Sequence, residues 1–238
     1  MNLSNFKNVA LHFSGGKDSL ALLYAFKPFL EKITVYHLNT GDMPPETYAI
    51  IEQVKEWIPH FKVIKSDSKA WRAENGMPTD LLPTRSEFLG VLYGMSDTRM
   101  VSRFQCCSTN VMAPMHRQMI EDGVDCVIRG TKLCDTGKVP FEGQSPYYHV
   151  LLPLKDWTHE MVFEYLRNKG APWNPIYENF GVTGLECMTC TAWWDDGKAK
   201  FFAARHPEQL TEYRVNLQTI RKELLRSLQE LNSELGEA

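Results

Sequence analysis

No run of about 18 apolar residues occurs in the 238-residue chain, so nothing in it reads as a membrane-spanning helix. An excess of one charge is missing as well: 26 Lys and Arg stand against 29 Asp and Glu, a formal net charge of −3. That balance excludes coating nucleic acid by charge alone, though it permits a local basic patch. No basic, then apolar, then small-residue leader opens the chain, and the first residues run directly into a strand pattern, so a cytoplasmic location is expected. Internal repeats and low-complexity runs are absent. Cysteine is scarce, six in all, and residues 191–238 contain none. Without an export signal, those six are expected as thiols or as metal or cluster ligands rather than disulfides. With 43% hydrophobic and 23% charged residues, a disordered or fibrous chain is excluded.

What is present in the first third alternates. Residues 9–13, 33–38 and 61–64 read as short buried strands, separated by helical patterns over 17–30 and 45–57. Strand, helix, strand, helix, strand predicts βαβ units and a parallel sheet. Residues 70–83 read as loop, 86–94 and 114–121 as helices, 124–128 as a strand and 158–169 as a helix. Residues 132–145 are polar and rich in Gly and Pro, a candidate mobile loop over a site. The expected architecture is one Rossmann-like α/β domain over 1–205 and a helical extension over 206–238. In the extension Leu210, Tyr213, Leu217, Ile220, Leu224, Leu228, Leu231 and Leu235 recur in steps of three and four. Such a stripe either packs on its own domain or pairs two copies in a homodimer.

The turn between the first strand and helix is Ser14-Gly15-Gly16-Lys17-Asp18-Ser19. Glycines let a phosphate approach the backbone, the helix start offers unpaired N–H groups, and Lys17 adds charge. The spacing is not that of the Walker A loop. The hexapeptide resembles the pyrophosphate loop of the adenine nucleotide α-hydrolase superfamily, whose members act at the α-phosphate of ATP or of an adenylyl-sulfate nucleotide. In that superfamily the second strand ends near the nucleotide in a motif close to Asp-Thr-Gly. Here Asn39-Thr40-Gly41 stands in its place, with Asn39 for the usual Asp.

Two cysteine pairs are set far apart: Cys106-Cys107, then 79 residues, then Cys187-x-x-Cys190. Four thiolates from two such pairs suit zinc or an iron–sulfur cluster. Adjacent cysteines chelate a single small zinc ion poorly, whereas a cubane offers separate irons. The pattern is similar to the 4Fe-4S signature of adenylyl-sulfate reductases within the phosphoadenosine phosphosulfate (PAPS) reductase family. The segments Pro153-Leu154-Lys155-Asp156-Trp157-Thr158, Trp173-Asn174-Pro175-Ile176-Tyr177-Glu178 and Gly184-Leu185-Glu186-Cys187 resemble the same family. The resemblance implies a nucleotide-contacting loop at Arg129-Gly130-Thr131-Lys132. It also implies a cytoplasmic enzyme of sulfur metabolism.

Reductases of this family use a cysteine in a C-terminal tail, which residues 191–238 do not contain. Of the two remaining cysteines, Cys126 reads as a buried strand residue. Cys134 is a candidate reactive thiol whose pKa Arg129 and Lys132 are expected to lower. Lys17, Asp18 and Cys134 are the candidate catalytic residues. The intact hexapeptide resembles ATP-using members, so the first functional expectation is ATP-dependent activation or sulfur transfer, with magnesium accompanying the nucleotide. Two alternatives stand beside it. One is an adenylyl-sulfate or PAPS reductase releasing sulfite with a thiol or electron donor protein. The other is a non-catalytic nucleotide-binding iron–sulfur partner in a complex. Arg99, Arg103, Lys198, Lys200 and Arg205, with Trp193 and Trp194, form the candidate nucleic-acid patch.

Overall fold

The computed structural model describes residues 3–138, 141–178, 184, 187–194 and 197–236. Leu185 and Glu186 of the second cysteine motif lie outside the described residues, as do Val139 and Pro140 of the polar loop. In chain order the elements begin with β1 (Val9–His12), α1 (Lys17–Ala25), β2 (Ile33–Asn39), α2 (Pro45–Lys55), β3 (Phe61–Lys65) and α3 (Ser68–Asn75). They continue with β4 (Met77–Thr79), α4 (Phe88–Leu92), β5 (Met100–Ser102), α5 (Arg103–Cys107), α6 (Ala113–Glu121), β6 (Cys126–Ile128) and α7 (Leu133–Thr136). The last are β7 (Gly143–Gln144), β8 (His149–Leu151), α8 (His159–Asn168), α9 (Lys198–Arg205) and α10 (Pro207–Leu235).

The chain divides into two units. The first comprises Met1–Asn39, Met43–Ser66 and Ala113–Pro175. Its sheet has the order β3-β2-β1-β6-β8-β7, with β7 alone antiparallel among these pairings. Leu11 stands opposite Val35 on one side and Ile128 on the other. This is the parallel α/β architecture that the strand-helix alternation predicts. Leu11, Phe13, Ile33, Val35 and Ile128 of the sheet join Leu20, Leu23, Ile51, Val54, Val162 and Leu166 of the helices in one buried core. Burial of this apolar surface is the main force holding the unit. Chain order reverses at β1, with β2 on one side and β6 on the other, so the loops after β1 and β6 emerge side by side. That is the switch point at which open α/β sheets bind ligands.

The second unit comprises Thr40–Asp42, Asp67–Met112 and Ile176–Ala238. It contains the short parallel pair β4 and β5. A separate core joins Ile176, Phe201, Phe202, Leu210 and Tyr213, so the start of α10 packs within this unit. Further along α10 the stripe is bare: Leu228, Leu231 and Leu235 are exposed.

Two departures from the sequence expectations have local causes. The 17–30 helix stops at Ala25 and a 3-10 turn over Lys27–Lys32 follows, because Pro28 has no N–H to continue the ladder. Residues 68–75 form a helix rather than a loop. The Asp67 side chain caps it by accepting from the Ala70 N–H at 2.9 Å, and Gly76 ends it at φ +112°. Its mostly polar sequence carries no apolar stripe to betray it.

His12 closes β1 with Nε2 3.1 Å from the Met119 sulfur. Burial, helped by the Arg129 guanidinium, pushes its pKa down to about 3. An unfolded histidine protonates near 6.5, so as pH falls the unfolded state takes up this proton first. Stability is thus fully present above about pH 6.5 and lost as pH falls toward 3. Urea midpoints measured at about pH 7.5 and pH 5 should fall in the wild type and fall less in His12→Gln. Equal declines would refute the assignment.

Candidate functional site

In the first unit, the turn after β1 is built around Gly15 and Gly16. Gly15 has φ +82°, and a Cβ there would lie 2.8 Å from Thr47 Cγ2 and 2.9 Å from Ile51 Cγ1. Gly16 is the N-cap of α1 and has no side chain to cap it. The Ser19 hydroxyl donates to the Gly16 carbonyl at 3.0 Å and accepts from the Ser14 N–H at 3.2 Å, while the Gly16 N–H donates to Ser14 Oγ at 3.3 Å. Serines thus tie the turn to itself at the start of α1, the end of a helix that carries partial positive charge.

Two lysines stand behind that turn. Lys17 is 4% exposed, with its ammonium 3.0 Å from Asp18 Oδ2. Lys132, from the loop after β6, is fully buried. Its Nζ lies 2.6 Å from Asp18 Oδ1 and 2.9 Å from Asp135 Oδ2. Burial alone would lower the Lys132 pKa. The hydrogen bonds to Asp18 and Asp135 outweigh it and raise the pKa, so the ammonium stays charged. Gly130 lets the two loops meet, since a Cβ there would lie 3.2 Å from the Asp18 carbonyl carbon. Arg129 is exposed. Asn39 accepts from the Tyr48 hydroxyl at 2.8 Å.

Cys134 is exposed in α7. Its thiol donates to the Trp157 carbonyl at 3.4 Å. The expected activation is reversed: partial burial and the Asp135 carboxylate raise its pKa, and Lys132 only opposes them. The ammonium that was to activate the thiol is spent on Asp18 and Asp135.

The cysteine pairs lie in the second unit. Cys106 and Cys107 end α5, which widens into a π-helical turn over Ser108–Met112. Cys106 and Cys190 are buried, Cys107 and Cys187 half-buried. Burial pushes the Cys106 thiol up and the Cys187 thiol up to about 11, with Arg72 opposing both and Cys190 close enough to act on both. Cys106 and Cys187 therefore both lie by the Arg72 guanidinium, and Cys190 lies near these two thiols. Thr40 sits here too, accepting from the Cys187 thiol at 3.6 Å.

Asp42 shapes this region. Its buried carboxylate accepts from Arg72, from the Thr189 N–H at 3.1 Å and from the Thr189 hydroxyl at 2.6 Å, and its carbonyl accepts from the Met188 N–H at 2.7 Å. Both residues inside Cys187-x-x-Cys190 are thereby pinned to one aspartate. Lys198 secures the far side. It is buried, and its ammonium donates to the Cys190 carbonyl at 3.4 Å and to that of Ala192.

Lys198, one of the five basic residues expected to form a nucleic-acid patch, is thus turned inward. Arg103 pairs with Asp80 at 3.1 Å and lies 4.0 Å from the centre of the Trp193 ring. Arg99 donates to the Glu74 carbonyl at 2.8 Å, and Arg205 pairs with Glu178 at 3.6 Å. Four of the five basic residues are committed within the unit. Cys126 lies buried in β6, as its apolar neighbours imply, and burial pushes its thiol up to about 12.

Comparison with known proteins places these residues in context. The family model of the phosphoadenosine phosphosulfate reductase domain matches residues 8–193. The chain belongs to that family. A phosphoadenosine 5'-phosphosulfate reductase of Synechocystis is 26% identical over 171 residues, covering 69% of this chain and 62% of the relative. An adenosine 5'-phosphosulfate reductase of Salinibacter ruber is 24% identical, covering 74% and 64%. The chain thus spans under two thirds of these two relatives. An adenosine 5'-phosphosulfate reductase of Pseudomonas aeruginosa is 24% identical, covering 80% of this chain and 73% of the relative. The crystal structure of a phosphoadenylyl-sulfate reductase from Candida auris, a phosphate complex, shares the fold with a TM-score of 0.52 at 18% identity. It covers 73% of this chain and 78% of that one. For this family member, sequence reasoning missed Asp42, Arg72, Asp135 and His159. Asp42 alone carried a signal, standing directly after Asn39-Thr40-Gly41.

Two substitutions test these arrangements. Gly15→Ala forces a side chain into positive φ, costing about 1–2 kcal/mol, and against Thr47 and Ile51. Anion or nucleotide affinity should drop about tenfold or more by calorimetry. Asp42→Ala leaves Arg72 buried without its carboxylate and should lower unfolding free energy by about 3–5 kcal/mol in urea titrations.

Proposed function

We propose that this chain is an adenine-nucleotide-dependent enzyme of sulfur metabolism that takes adenylyl sulfate or PAPS at the Ser14–Ser19 turn. The observation that carries this reading is the uncapped start of α1 backed by the buried ammonium groups of Lys17 and Lys132. Phosphate oxygens accept from the α1 N–H groups, and the ammonium groups offset the charge that grows on the leaving phosphate. In the reaction, a thiolate attacks the sulfur of the sulfonucleotide. The bond from sulfur to the bridging phosphate oxygen breaks, and the nucleotide leaves. A second thiol then attacks the thiosulfonate, forming a disulfide and releasing sulfite. A donor such as a small dithiol protein supplies these thiols. The raised pKa of Cys134 argues against that residue as the attacking group.

Cys106, Cys107, Cys187 and Cys190 suit a 4Fe-4S cluster. Consecutive helical residues point about 100° apart, so the adjacent pair serves separate irons more readily than one ion. The donor set is all sulfur; Cys106 and Cys187 share Arg72, and Cys190 acts on both thiols. When bound, such a cluster supplies a redox-active centre held on thiolates.

The intact hexapeptide favours one second reading, ATP-dependent activation with magnesium shared between the phosphates and Asp18. Anaerobically purified protein separates the two. The first reading expects iron with acid-labile sulfide, and sulfite release from adenylyl sulfate or PAPS with a dithiol donor. Lys132→Met should weaken nucleotide binding about tenfold or more, since the buried cation behind the turn is lost while Asp18 keeps its negative charge. Turnover of ATP to pyrophosphate without sulfite release from either sulfonucleotide would transfer the assignment to the second reading.

A further inference from the structure

Beside the glycine turn, within the first unit, a second donor set converges. Cys134 and Asp135 are consecutive in α7, and His159 is the first residue of α8. Asp135 Oδ1 lies 3.7 Å from His159 Nε2 and 3.8 Å from Cys134 Sγ. One ligand atom from each of the three residues lies within 4.8 Å of the other two. A tetrahedral zinc ion with bonds of about 2.0–2.3 Å spaces its donors about 3.3–3.6 Å apart. Small side-chain rotations close that difference.

We propose that Cys134, Asp135 and His159 form a binding site for a single divalent zinc-like ion, distinct from the four-cysteine set. The donors are already oriented. Asp135 Oδ2 is held by Lys132 Nζ at 2.9 Å and by the Lys132 N–H at 3.2 Å, which leaves Oδ1 to face the other two. Such outer contacts are what fix a metal-binding carboxylate. The imidazole of His159 is uncommitted. Its Nδ1 is buried with no hydrogen-bond partner among the described residues, and its Nε2 is beyond hydrogen-bond distance of Asp135.

The donor chemistry selects the ion. One sulfur, one nitrogen and one oxygen suit zinc and its transition-metal neighbours, whereas magnesium and calcium take oxygen. The Cys134 thiolate offsets one of the ion's two charges, and Asp135, shared with Lys132, adds its carboxylate. The exposure of Cys134 leaves a fourth position for water, the pattern of zinc sites that exchange a ligand. On binding, the Cys134 S–H proton is released to solvent as the sulfur–metal bond forms. This site requires neither the nucleotide nor the cluster of the proposed function.

The test uses the full chain, purified anaerobically, equilibrated with zinc in the presence of excess magnesium and freed of unbound metal. The wild type should retain about one zinc per chain beyond that of Cys134→Ser, and release about one proton per zinc at neutral pH. Cys134→Ser, at an exposed position, and His159→Ala should each weaken zinc binding about 100-fold or more, because losing a ligand exceeds the 10–100-fold cost of losing an outer partner. Iron and sulfide content should stay unchanged in both, which keeps a failure here separate from a failure of the cluster assignment. Equal zinc retention and proton release in the wild type and Cys134→Ser would overturn the site, as would full displacement of the zinc by magnesium.

Discussion

A buried ammonium needs a carboxylate, and Lys132 has two. Desolvating one cation costs several kcal/mol, and only well-placed anions offset it. Asp18 comes from the turn after β1 and Asp135 from α7, so this one requirement joins the turn, the loop after β6 and the short helix beyond. The sheet order makes the encounter available, because β1 and β6 are parallel neighbours. Gly130 makes it close, since any Cβ there would press on the backbone of Asp18. The cost is that Asp18 balances Lys17 and Lys132 together. Both lysines behind the turn are therefore already paired with carboxylates.

The second unit repeats the device with the charges exchanged. There the fully buried group is the Asp42 carboxylate, and Arg72 is its main partner. One oxygen of Asp42 gathers Arg72 and Thr189, and Lys69 stands 3.4 Å from the other. Because Thr189 and Met188 lie between Cys187 and Cys190, satisfying this aspartate also sets the shape of the cysteine loop. Trp193, at φ +63°, follows the same logic. Its N–H and that of Trp194 are held by Asp80 at 2.9 and 3.1 Å, so a costly backbone conformation is repaid by local hydrogen bonds.

Periodicity and turn chemistry are read locally, and where the fold is local the sequence was legible. The alternation of strand and helix yields the parallel sheet, and the glycine turn stands between β1 and α1 as its residues require. Partners distant in the chain are a different matter. Nothing in the polar run 68–75 announces that Arg72 will meet Asp42 and the cysteines. Lys198 reads as a surface cation until its burial against the Cys190 and Ala192 carbonyls is seen. The stripe on α10 is real in the sequence, yet only its first half is covered within the unit. His159 reads as an ordinary helix-start residue. Its proximity to Cys134 and Asp135 depends on where two loops end, which no spacing rule encodes.

The cysteines bring these points to one conclusion about reactivity. A thiolate is the nucleophile in sulfur chemistry and the ligand in metal chemistry. Cys106, Cys126, Cys134 and Cys187 are all held above their ordinary pKa, chiefly by burial. At neutral pH these four stay protonated unless something removes the proton. Cys126 has no route to that: it is sealed in β6, with Asp125 adding to the cost of a second negative charge. For Cys106 and Cys187 the neighbouring Arg72 already favours the anion, and a metal centre would complete the change. For Cys134 the same role would fall to the cation proposed with Asp135 and His159. The desolvation that makes Cys106 and Cys187 poor free nucleophiles would thus leave a metal centre as the partner that draws off their protons.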